Sequence, residues 1–432
     1  MRGPRYNRAM SKPYVTLLGK AVRSIARLRG GGSALPGLFV EKIDPSFIAR
    51  TLADLPHGVI VISGTNGKTT TTKMTVELLE SQGLKVFTNR TGSNFTRGVA
   101  AALLGEVDNH GNLDADIAVL ELDEAHAVHF VKKVAPSYSL LLNVMRDQLD
   151  RFGEIDTTAK LLETIAARTT KGIILNREDP RIARIATMLH GQEVAYFGLS
   201  PNVKKLFPTD DELRGDMPTV KAPAVDADVL LQAVDNESAT FIMDGRPYKT
   251  SLELQGVYNI YNAAAALATV RTVLGNVDET LLIEALSRVR PAFGRGETLT
   301  VGGQPLELVL VKNPSGFRLS LSSFNPANYQ TMIAINDNYA DGRDMSWLWD
   351  VDFDSLKTEG VAEISGIRAY DMALRLQYDE VSVSHVEPKL SDALQHFITS
   401  NPSRPKRIYC TYTAMLGIRR ELSKITDVET VS

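Results

Sequence analysis

The stretch from residue 59 to residue 70 combines residue types that bind phosphate. A β-branched run, Val59-Ile-Val-Ile-Ser, leads into Gly64-Thr-Asn-Gly67-Lys68-Thr69-Thr, and a helix-compatible stretch follows at 71–82. In such a turn the backbone N–H groups and the helix N-terminus point at anionic oxygens. Lys68 would supply a positive charge for the outer phosphates, and Thr69 a hydroxyl for Mg²⁺. The segment therefore predicts a binding site for ATP or GTP.

The glycine spacing of this turn differs from that of the standard P-loop. The standard pattern would place its first glycine at position 62, where this chain has Ile62. An ordinary glycine turn with a surface lysine is the alternative interpretation, and we expect Lys68 to face the surface in either case. The form Gly-Thr-Asn-Gly-Lys-Thr-Thr resembles the ATP loop of the Mur ligase family, the ATP-dependent amide-bond formers of peptidoglycan precursor synthesis. The resemblance implies nucleotide contacts by Thr65, Asn66, Gly67, Lys68, Thr69 and Thr70.

A carboxylate at the end of a second predicted strand suits the magnesium ion of such a site. Glu121 follows Ile117-Ala-Val-Leu, and a carboxylate there can hold Mg²⁺ directly or through water. A solvated acidic loop is the alternative. The cluster Glu121-Leu-Asp-Glu124 resembles the magnesium-binding glutamate segment of Mur ligases, which implies that Thr69 and Glu121 are the metal ligands.

The next segment departs from the Mur pattern at two positions. Asn143-Val-Met-Arg-Asp-Gln148-Leu-Asp-Arg-Phe152-Gly resembles the family's Asn…Asp-His-Leu-Asp-x-His-Gly. Gln148 replaces the first histidine, a metal ligand in other Mur ligases, and Phe152 replaces the second. Since glutamine is a neutral and weaker oxygen donor, the sequence leaves the second magnesium site open.

Two further segments resemble nucleotide-contacting parts of the family. Gly-Val-Tyr-Asn259-Ile-Tyr-Asn262 resembles Gly-x-His-Asn-x-x-Asn and implies that Asn259 lies near adenine, where its amide offers donors and an acceptor. A helix N-cap is the compatible alternative for Asn259. Phe-Gly-Arg295-Gly-Glu resembles the Gly-Arg segment at the family's domain boundary, where an arginine can clamp phosphate. Lys312-Asn-Pro stands where other Mur ligases carry Ala-His-Asn-Pro.

Composition and charge exclude several classes of protein. The length of 432 residues suggests two or three domains, and 44% hydrophobic with 23% charged residues is ordinary for a globular protein. A net charge of −3 argues against nucleic-acid binding by the whole molecule. No apolar run reaches the roughly 18–20 residues of a membrane span. Together with the low cysteine count, these features lead us to expect a cytoplasmic protein.

The first 48 residues form a basic N-terminal leader. No acidic residue precedes Glu41. The basic residues of this stretch are Arg2, Arg5, Arg8, Lys12, Lys20, Arg23, Arg27 and Arg29. Apolar residues at helical spacing between positions 15 and 28 predict a short amphipathic helix. A helix packed on the body of the protein, or a frayed leader, is one interpretation, and peripheral contact with the anionic inner face of a membrane is the other.

After the leader, the sequence alternates strand and helix patterns, which is typical of a parallel sheet covered on both faces. The predicted strands are 59–63, 85–88, 117–121, 138–143, 172–176, 193–197, 306–311, 331–336, 360–365 and 407–412. Between residues 200 and 250 the alternation breaks, and short strands at 229–234 and 239–243 predict an inserted β subdomain. We predict an α/β fold with a Mur ligase-like ATP-binding domain at 49–290 and a Rossmann-like α/β domain at 291–432.

The C-terminal region narrows the resemblance to one branch of the family. Residues 336–350, Asn-Asp-Asn-Tyr-Ala-Asp-Gly-Arg-Asp-Met-Ser-Trp-Leu-Trp-Asp, hold several carboxylates, an arginine and both tryptophans of the chain. Other Mur ligases lack this segment, which resembles the MurT branch, the synthetase subunits of lipid II isoglutaminyl synthases. The resemblance implies that ATP phosphorylates the α-carboxylate of D-glutamate in the lipid II stem peptide, and that ammonia converts the acyl phosphate to D-isoglutamine. It also implies a GatD-like glutamine amidotransferase as the partner in a heterodimer.

The single cysteine bears on the ammonia source and on zinc. Cys410 lies in a predicted strand without a glycine elbow, which favours a buried structural thiol over a glutaminase nucleophile. Ammonia is therefore expected from a separate subunit. Some MurT proteins carry a four-cysteine zinc ribbon in the middle insertion, but this chain has no cysteine between 200 and 250, so we expect no zinc. Stoichiometric zinc would require histidine and carboxylate ligands instead.

Asp344 is the residue that we expect to act at the partner's active site. A cysteine–histidine dyad works better when a carboxylate orients the imidazole, and the resemblance assigns that carboxylate to Asp344. Pairing with Arg343 or capping of a following helix is the alternative, and Asp341 and Asp350 are the nearest competitors.

Two other functions stay open at the level of sequence. A stand-alone amino-acid ligase of the Mur or folylpolyglutamate type would add an amino acid rather than ammonia, and residues 337–350 argue against it. A nucleotide-binding scaffold would have no chemistry of its own, and the intact Lys68, Thr69 and Glu121 argue against that function.

Overall fold

The computed structural model describes residues 13–28, 35–89, 94–146, 155–207, 212, 224–235, 238–252, 257–290 and 295–428. Its helices are α1 (Pro13–Leu28), α2 (Leu35–Ile43), α3 (Phe47–Ala53), α4 (Lys68–Ser81), α5 (Thr96–Glu106), α6 (Glu124–Val131), α7 (Ile155–Arg168), α8 (Pro180–Ala183), α9 (Val257–Leu274), α10 (Glu279–Arg288), α11 (Pro314–Ser323), α12 (Ala369–Tyr378), α13 (Leu390–Thr399) and α14 (Tyr412–Leu422). Its strands are β1 (Gly58–Ser63), β2 (Val86–Thr88), β3 (Ile117–Glu121), β4 (Tyr138–Leu141), β5 (Gly172–Asn176), β6 (Glu193–Leu199), β7 (Val229–Val234), β8 (Ser238–Met243), β9 (Arg246–Ser251), β10 (Arg295–Val301), β11 (Gln304–Leu310), β12 (Gln330–Ala334), β13 (Glu363–Ser365) and β14 (Lys406–Cys410).

The first sheet has nine strands in the order β2-β3-β1-β4-β5-β6-β7-β8-β9. Pairing is parallel from β2 to β7 and antiparallel among β7, β8 and β9. The β-branched run of β1 is buried on both faces, because its side chains alternate between two cores. Ile60 and Ile62 join the core beneath α4 and α9, whereas Val59 and Val61 join the core beneath α5, α6 and α7.

The strands between residues 224 and 252 continue the main sheet. β6 pairs with β7 in parallel, with Phe197 opposite Val229, and β8 and β9 extend the edge. The predicted β subdomain therefore has its strands in register with the ATP-binding sheet. β9 was not predicted, because its side chains are mostly exposed and polar and show no apolar alternation.

The second sheet has five strands in the order β10-β11-β14-β12-β13. β10 and β11 pair antiparallel, and the remaining neighbours pair in parallel. Helix α12 packs on one face, and α13 and α14 pack on the other. This is the α/β arrangement predicted for the C-terminal region. The sequence did not predict β10, whose polar residues Thr298 and Thr300 alternate with a few apolar ones.

Helix α1 packs on the body of the protein. Val15 and Thr16 are each 1% exposed, and a Cβ on Gly19 would lie 2.7 Å from Val40 Cγ2, so α1 approaches α2 closely. The opposite side of α1 leaves Leu17 and Leu18 about half exposed. Within the described ranges, none of the helices has both the length and the apolar character needed to cross a membrane.

Candidate active site

The predicted phosphate loop joins β1 to α4, and α4 begins at Lys68. Two of its positions require glycine. Gly64 has φ +132°, and a Cβ there would lie 2.9 Å from Asn143 N. Gly67 has φ +90°, and a Cβ there would meet Asn262 Oδ1 at 2.6 Å. Because both positions combine a left-handed backbone with close neighbours, the loop backbone can follow a path that larger residues would block.

Asn143, at the carboxyl end of β4, fixes the shape of the loop. Asn66 N donates to Asn143 Oδ1 at 2.9 Å, and Asn143 Nδ2 donates back to Asn66 O at 3.0 Å. Thr65 N donates to Asn143 O at 3.0 Å, and Thr65 Oγ1 accepts from Met145 N at 3.0 Å. These reciprocal hydrogen bonds hold Thr65 and Asn66 rigidly beside the neighbouring strand. No role was predicted for Asn143 from the sequence, although its place after β4 and beside β1 was a usable signal.

Lys68 is buried, and the expectation of a surface-facing lysine was wrong. Only 6% of it is exposed, and its Nζ donates to Gly64 O at 2.5 Å. Nζ also lies 3.4 Å from Oε1 of Glu124, a carboxyl that is itself 1% exposed. Burial raises the pKa of Glu124, and the Lys68 ammonium opposes this rise. The lysine folds back onto its own loop because the loop carbonyls and Glu124 are its nearest acceptors.

Thr69 and Glu121 lie together, although one begins α4 and the other ends β3. Thr69 Oγ1 donates to Glu121 Oε1 at 2.8 Å, and Asn94 Nδ2 donates to the same oxygen at 2.8 Å. Asn94 Oδ1 is buried and has no hydrogen-bond partner in the described part of the chain. The site thus offers hydroxyl, carboxylate and amide oxygens, which are the donors that Mg²⁺ prefers. The donor set fits Mg²⁺, with Asn94 as a third candidate ligand that sequence analysis missed.

A cleft of about 730 Å³, open to solvent, runs between the two sheets. Its lining includes Asn66, Gly67, Thr70, Asn259, Lys312 and Gly316. Lys312 Nζ donates to Thr65 O at 3.4 Å, and Asn313 Nδ2 donates to Asn66 Oδ1 at 3.2 Å. The segment after β11 therefore touches the phosphate loop directly. Lys312 stands out in the sequence by its position in the Mur pattern, but no contact was predicted for it.

Three residues that the sequence singled out cannot be placed in the site, because the structure does not describe their side chains. Arg295 begins β10 opposite Val309, but its side chain is not among those that the structure describes. Gln148 and Phe152 lie in residues 147–154, which the structure does not describe. The interpretation of Arg295 as a phosphate clamp therefore stays a prediction, and the second magnesium site stays open.

Asp344 lies at the surface in the segment that connects β12 to β13, two residues before a short 3₁₀ helix at Ser346–Asp350. Ser346 N donates to Asp344 Oδ1 at 2.9 Å, and hydrogen bonding by Ser346 lowers the pKa of this carboxyl. Asp344 is therefore ionised at neutral pH and lies where a second chain can reach it. Its competitor Asp341 is 1% exposed and accepts hydrogen bonds from Thr413 N and Oγ1.

Cys410 is fully buried in β14. Burial raises the pKa of its thiol far above the ordinary range, so the sulfur stays protonated and is out of reach of a substrate. The expectation of a buried thiol is confirmed, and this residue cannot serve as a glutaminase nucleophile.

Comparison with known proteins places this arrangement in a family. The sequence profile of the Mur ligase middle domain matches residues 62–270, and that of the MurT ligase C-terminal domain matches residues 310–415. The chain is 30% identical to the lipid II isoglutaminyl synthase (glutamine-hydrolyzing) subunit MurT of Streptococcus pneumoniae, over 94% of this chain and 96% of that protein. The chain belongs to the MurT family. The MurT subunit of Staphylococcus aureus strain COL is 29% identical over 85% of this chain and 87% of its own length.

Solved structures agree with the MurT assignment at the level of fold. MurF of Acinetobacter baumannii superposes with a TM-score of 0.66 at 19% identity, over 89% of this chain and 80% of that one. MurF of Thermotoga maritima in complex with ADP gives a TM-score of 0.66 at 16% identity, over 88% and 84% of the two chains. At such identities the likeness establishes the Mur ligase fold, as predicted from the sequence.

Proposed function

We propose that this chain is the synthetase subunit of a lipid II isoglutaminyl synthase. The observation that carries the proposal is the match to the Streptococcus pneumoniae subunit of that name over 96% of its length. The phosphate loop and its neighbours supply chemistry that suits the reaction. We assign residues 49–290 to ATP binding and residues 291–432 to the second domain, with the cleft between them as the reaction site.

The chemistry proceeds in two steps. An oxygen of the D-glutamyl α-carboxylate attacks the γ-phosphorus of ATP, and the bond to the β–γ bridging oxygen breaks to give an acyl phosphate and ADP. Ammonia then attacks the acyl carbon, phosphate leaves, and a proton is released as D-isoglutamine forms. Lys68, Lys312 and the N–H groups at the start of α4 stabilise the charge that accumulates on the transferred phosphoryl group. Asn259 binds the adenine, and Arg295 clamps phosphate as the domains close.

Magnesium fits this site as a cofactor. Thr69, Glu121 and Asn94 would hold the ion through oxygen donors, and bound Mg²⁺ would neutralise charge on the phosphates. Glu121 Oε1 accepts from both Thr69 and Asn94, so the three side chains already lie together, and Asn94 would turn its amide to present Oδ1 to the ion.

The ammonia comes from a separate glutaminase subunit of the GatD type. The buried, protonated Cys410 excludes this chain's thiol as the nucleophile for glutamine. The relative's name calls it a subunit, and exposed apolar side chains in the same domain as Asp344 suit a protein partner. They are Trp349, Ile367, Tyr370, Leu374 and Tyr378, and the rings of Trp349 and Tyr378 lie 5.1 Å apart. Exposed aromatic side chains of this kind are typical of interface centres.

Asp344 completes the partner's active site. Its carboxylate is ionised and accessible, so it can accept the Nδ1–H of a catalytic imidazole in the partner and stabilise the imidazolium that forms. Its hydrogen bonds from Ser346 fix its orientation, which makes the capping contact a support for the role rather than a competitor to it.

We also propose that α1 touches the membrane that carries the lipid-linked substrate. Leu17 and Leu18 are about half exposed next to Tyr14 at 58%, and Lys20 follows on the same helix. Exposed apolar and basic side chains together favour an anionic lipid surface.

The decisive experiment is co-expression of this chain with the glutaminase encoded in the same organism. The purified complex, given lipid II, ATP, Mg²⁺ and glutamine, should convert one carboxylate to an amide, which mass spectrometry detects as a shift of about one mass unit per peptide. Omission of ATP should abolish the product. A complex that consumes ATP but adds an amino acid would favour the stand-alone ligase, and binding of ATP without turnover would favour a scaffold.

A further inference from the structure

A carboxylate and two imidazoles meet at the β13 edge of the second sheet. Glu363 lies on β13, His385 lies in the segment that follows α12, and His396 lies on α13. Glu363 Oε1 is 2.8 Å from His385 Nδ1, and Glu363 Oε2 is 2.6 Å from His396 Nδ1. In the described part of the chain, these are the one group of three such residues whose ligand atoms lie within 4.8 Å of one another.

The backbone holds the three side chains in place. The segment 382–387 runs parallel to β13, with bridges from Val361 to Val383 and from Ile364 to Val386. Ile364 N donates to His385 O at 3.0 Å, so His385 is locked to the residue next to Glu363. His396 belongs to α13, which packs on the same strand. The cluster therefore rests on sheet and helix rather than on a loose loop.

We propose that Glu363, His385 and His396 bind one divalent zinc ion. Two imidazole nitrogens and one carboxylate oxygen form a donor set that zinc favours, whereas Mg²⁺ prefers oxygen alone. The Glu363 side chain is 1% exposed, and the two imidazoles are 45% and 51% exposed. The fourth tetrahedral position therefore faces solvent and is filled by water.

The geometry needs only small movements to reach coordination. Ligand atoms around tetrahedral zinc lie about 3.4 Å apart for bonds of about 2.1 Å. The two Nδ1 atoms already face the Glu363 carboxylate at 2.8 and 2.6 Å, and an ion between them widens those distances by less than about 1 Å. His396 Nε2 lies 3.4 Å from Ser400 Oγ, so the hydroxyl can hold the outer nitrogen of the ring as metal-bound histidines commonly require.

A metal-free triad of hydrogen bonds is the competing explanation. In it, each neutral imidazole donates Nδ1–H to one oxygen of Glu363. Two imidazoles converge on the buried carboxylate of Glu363, and no lysine or arginine contacts it in the described part of the chain. A bound divalent cation would supply the positive charge that this carboxylate otherwise lacks, which favours the zinc site over the metal-free triad. The site would join β13, the segment 382–387 and α13, and would thereby stabilise this edge of the sheet.

This site is independent of the proposed function and of the ribbon found in some relatives. The missing cysteines still exclude a four-cysteine zinc ribbon between residues 200 and 250. The expectation that the whole chain is free of zinc rested on the missing cysteines alone. The proposed site replaces that expectation, because its ligands are two histidines and a carboxylate.

Zinc binding to the full chain tests the proposal. The untagged protein, stripped with chelator and dialysed, is titrated with Zn²⁺ against a chromophoric chelator. We expect one site per chain, a higher melting temperature with Zn²⁺, and the visible absorption bands of tetrahedral Co²⁺ on cobalt substitution. His396→Ala and His385→Gln should weaken Zn²⁺ binding by more than about tenfold. His190→Ala removes an exposed histidine outside the cluster and is the matched control.

Two results would overturn the zinc site. One is the absence of stoichiometric Zn²⁺ binding in the micromolar range by the wild-type chain. The other is a loss of binding in His190→Ala as large as that in His396→Ala. Because Glu363 is buried and Glu363→Gln can disturb folding, the two half-exposed histidines supply the primary variants. Circular dichroism of each metal-free variant verifies that the fold is retained.

Discussion

At the scale of single residues, Lys68 and Glu124 form a buried pair in which stability and catalysis are coupled. Lys68→Met should abolish amidation. It should also lower the free energy of unfolding by roughly 1–3 kcal/mol, because Glu124 loses its counter-charge. The loss stays below the usual 3–5 kcal/mol because a carboxyl with a raised pKa can take up a proton. Urea denaturation and mass spectrometry of the product measure the two effects separately.

The double variant separates the two roles of Lys68. Lys68→Met with Glu124→Gln should recover most of the lost stability, because no uncompensated charge remains, but it should stay inactive. If the double variant is as unstable as the single one, Lys68 acts on stability through other contacts. Near-normal amidation in either variant would end the assignment of this loop to ATP.

Asp344 allows a second prediction at this scale. Asp344→Asn keeps the size of the side chain but removes its charge, so complex formation and ATP binding should persist. Glutamine-dependent amidation should fall by roughly 10- to 10⁴-fold, and high free ammonia at alkaline pH should partly restore the product. Asp350→Asn, an exposed carboxylate of the same segment, is the matched control. Normal glutamine hydrolysis by the Asp344→Asn complex would rule out the role in the partner's site.

The sequence predicted that Thr69 and Glu121 meet, but not how Lys68 is oriented. Thr69 and Glu121 were expected to share a magnesium ion from the resemblance to Mur ligases and from the place of Glu121 at a strand end, and the structure brings their side-chain oxygens within 2.8 Å. The direction of Lys68 depends on Glu124, which lies on a different element and has no local signal in the loop motif. The roles of Asn94 and Asn143 were not predicted for the same reason, because amide side chains that support a loop do not occur at a fixed spacing from its motif.

At the scale of elements, Asp179 caps the short helix α8 and should make stability depend on pH. Its Oδ1 accepts from Arg181 N at 2.9 Å and its Oδ2 from Val144 N at 2.6 Å. Burial nevertheless raises its pKa from 3.8 to about 6. The native state therefore holds this proton more tightly than the unfolded state. The contribution of Asp179 to stability is present below about pH 4 and is lost as pH rises through about 6, by about 3 kcal/mol in all.

Comparison with Asp179→Asn isolates that contribution, because other carboxyl groups titrate in the same range. The difference in unfolding free energy between the wild type and Asp179→Asn should shrink between pH 4 and pH 6 and then stay constant. Urea denaturation at closely spaced pH values gives the curve. A difference that is flat across this window would mean that Asp179 is ionised throughout.

Helix α1 gives the other prediction at this scale. Leu17→Asn with Leu18→Asn alters exposed positions, so folding should be retained while binding to anionic vesicles falls by about tenfold or more. Leu281→Asn, on the exposed side of α10, is the control with similar exposure at 45%. Vesicle sedimentation with and without anionic lipid measures the effect. Equal binding by all forms would leave α1 as a packing helix only.

Strands with a buried apolar run were predictable, whereas the edge strands β9 and β10 were not. β3 and β5 are buried along their whole length, and their apolar runs gave their bounds directly. Whereas the opposite edge strands β2 and β13 fall within predicted strands, β9 and β10 each form one edge of their sheet, where one neighbour is missing and polar side chains are tolerated. Without an apolar pattern, only their pairing partners define them.

At the scale of the whole molecule, Lys312 links the second domain to the phosphate loop of the first. Lys312→Met should lower kcat/KM for ATP by roughly 10- to 100-fold. The loss of stability should be small, because the side chain is only partly buried and its hydrogen bond to Thr65 O is long at 3.4 Å. Lys357→Met removes an exposed lysine of the same domain and serves as control. Steady-state kinetics measures kcat/KM for ATP in the two variants. Equal values of kcat/KM in Lys312→Met and Lys357→Met would remove Lys312 from the site.

The meeting of the two domains was the part of the molecule that sequence could not supply. The contacts between Asn313 and Asn66 and between Lys312 and Thr65 join residues that belong to separate sheets. Their proximity follows from how the two sheets pack, which no local pattern encodes. The same holds for the continuation of β6 by β7, since a break in alternation looks identical whether the next strands stand apart or join the sheet.

The single buried thiol of Cys410 has a practical consequence for chemical biology. Electrophilic probes such as maleimides, or glutamine analogues that alkylate a catalytic cysteine, will find no accessible thiol on this chain. In a complex with a glutaminase, such a reagent marks the partner alone. On the chain without its partner, a cysteine introduced at an exposed position such as Ile425 would accept a fluorophore or crosslinker without background from another thiol. The native chain is therefore ready for distance measurements that follow the opening and closing of its cleft.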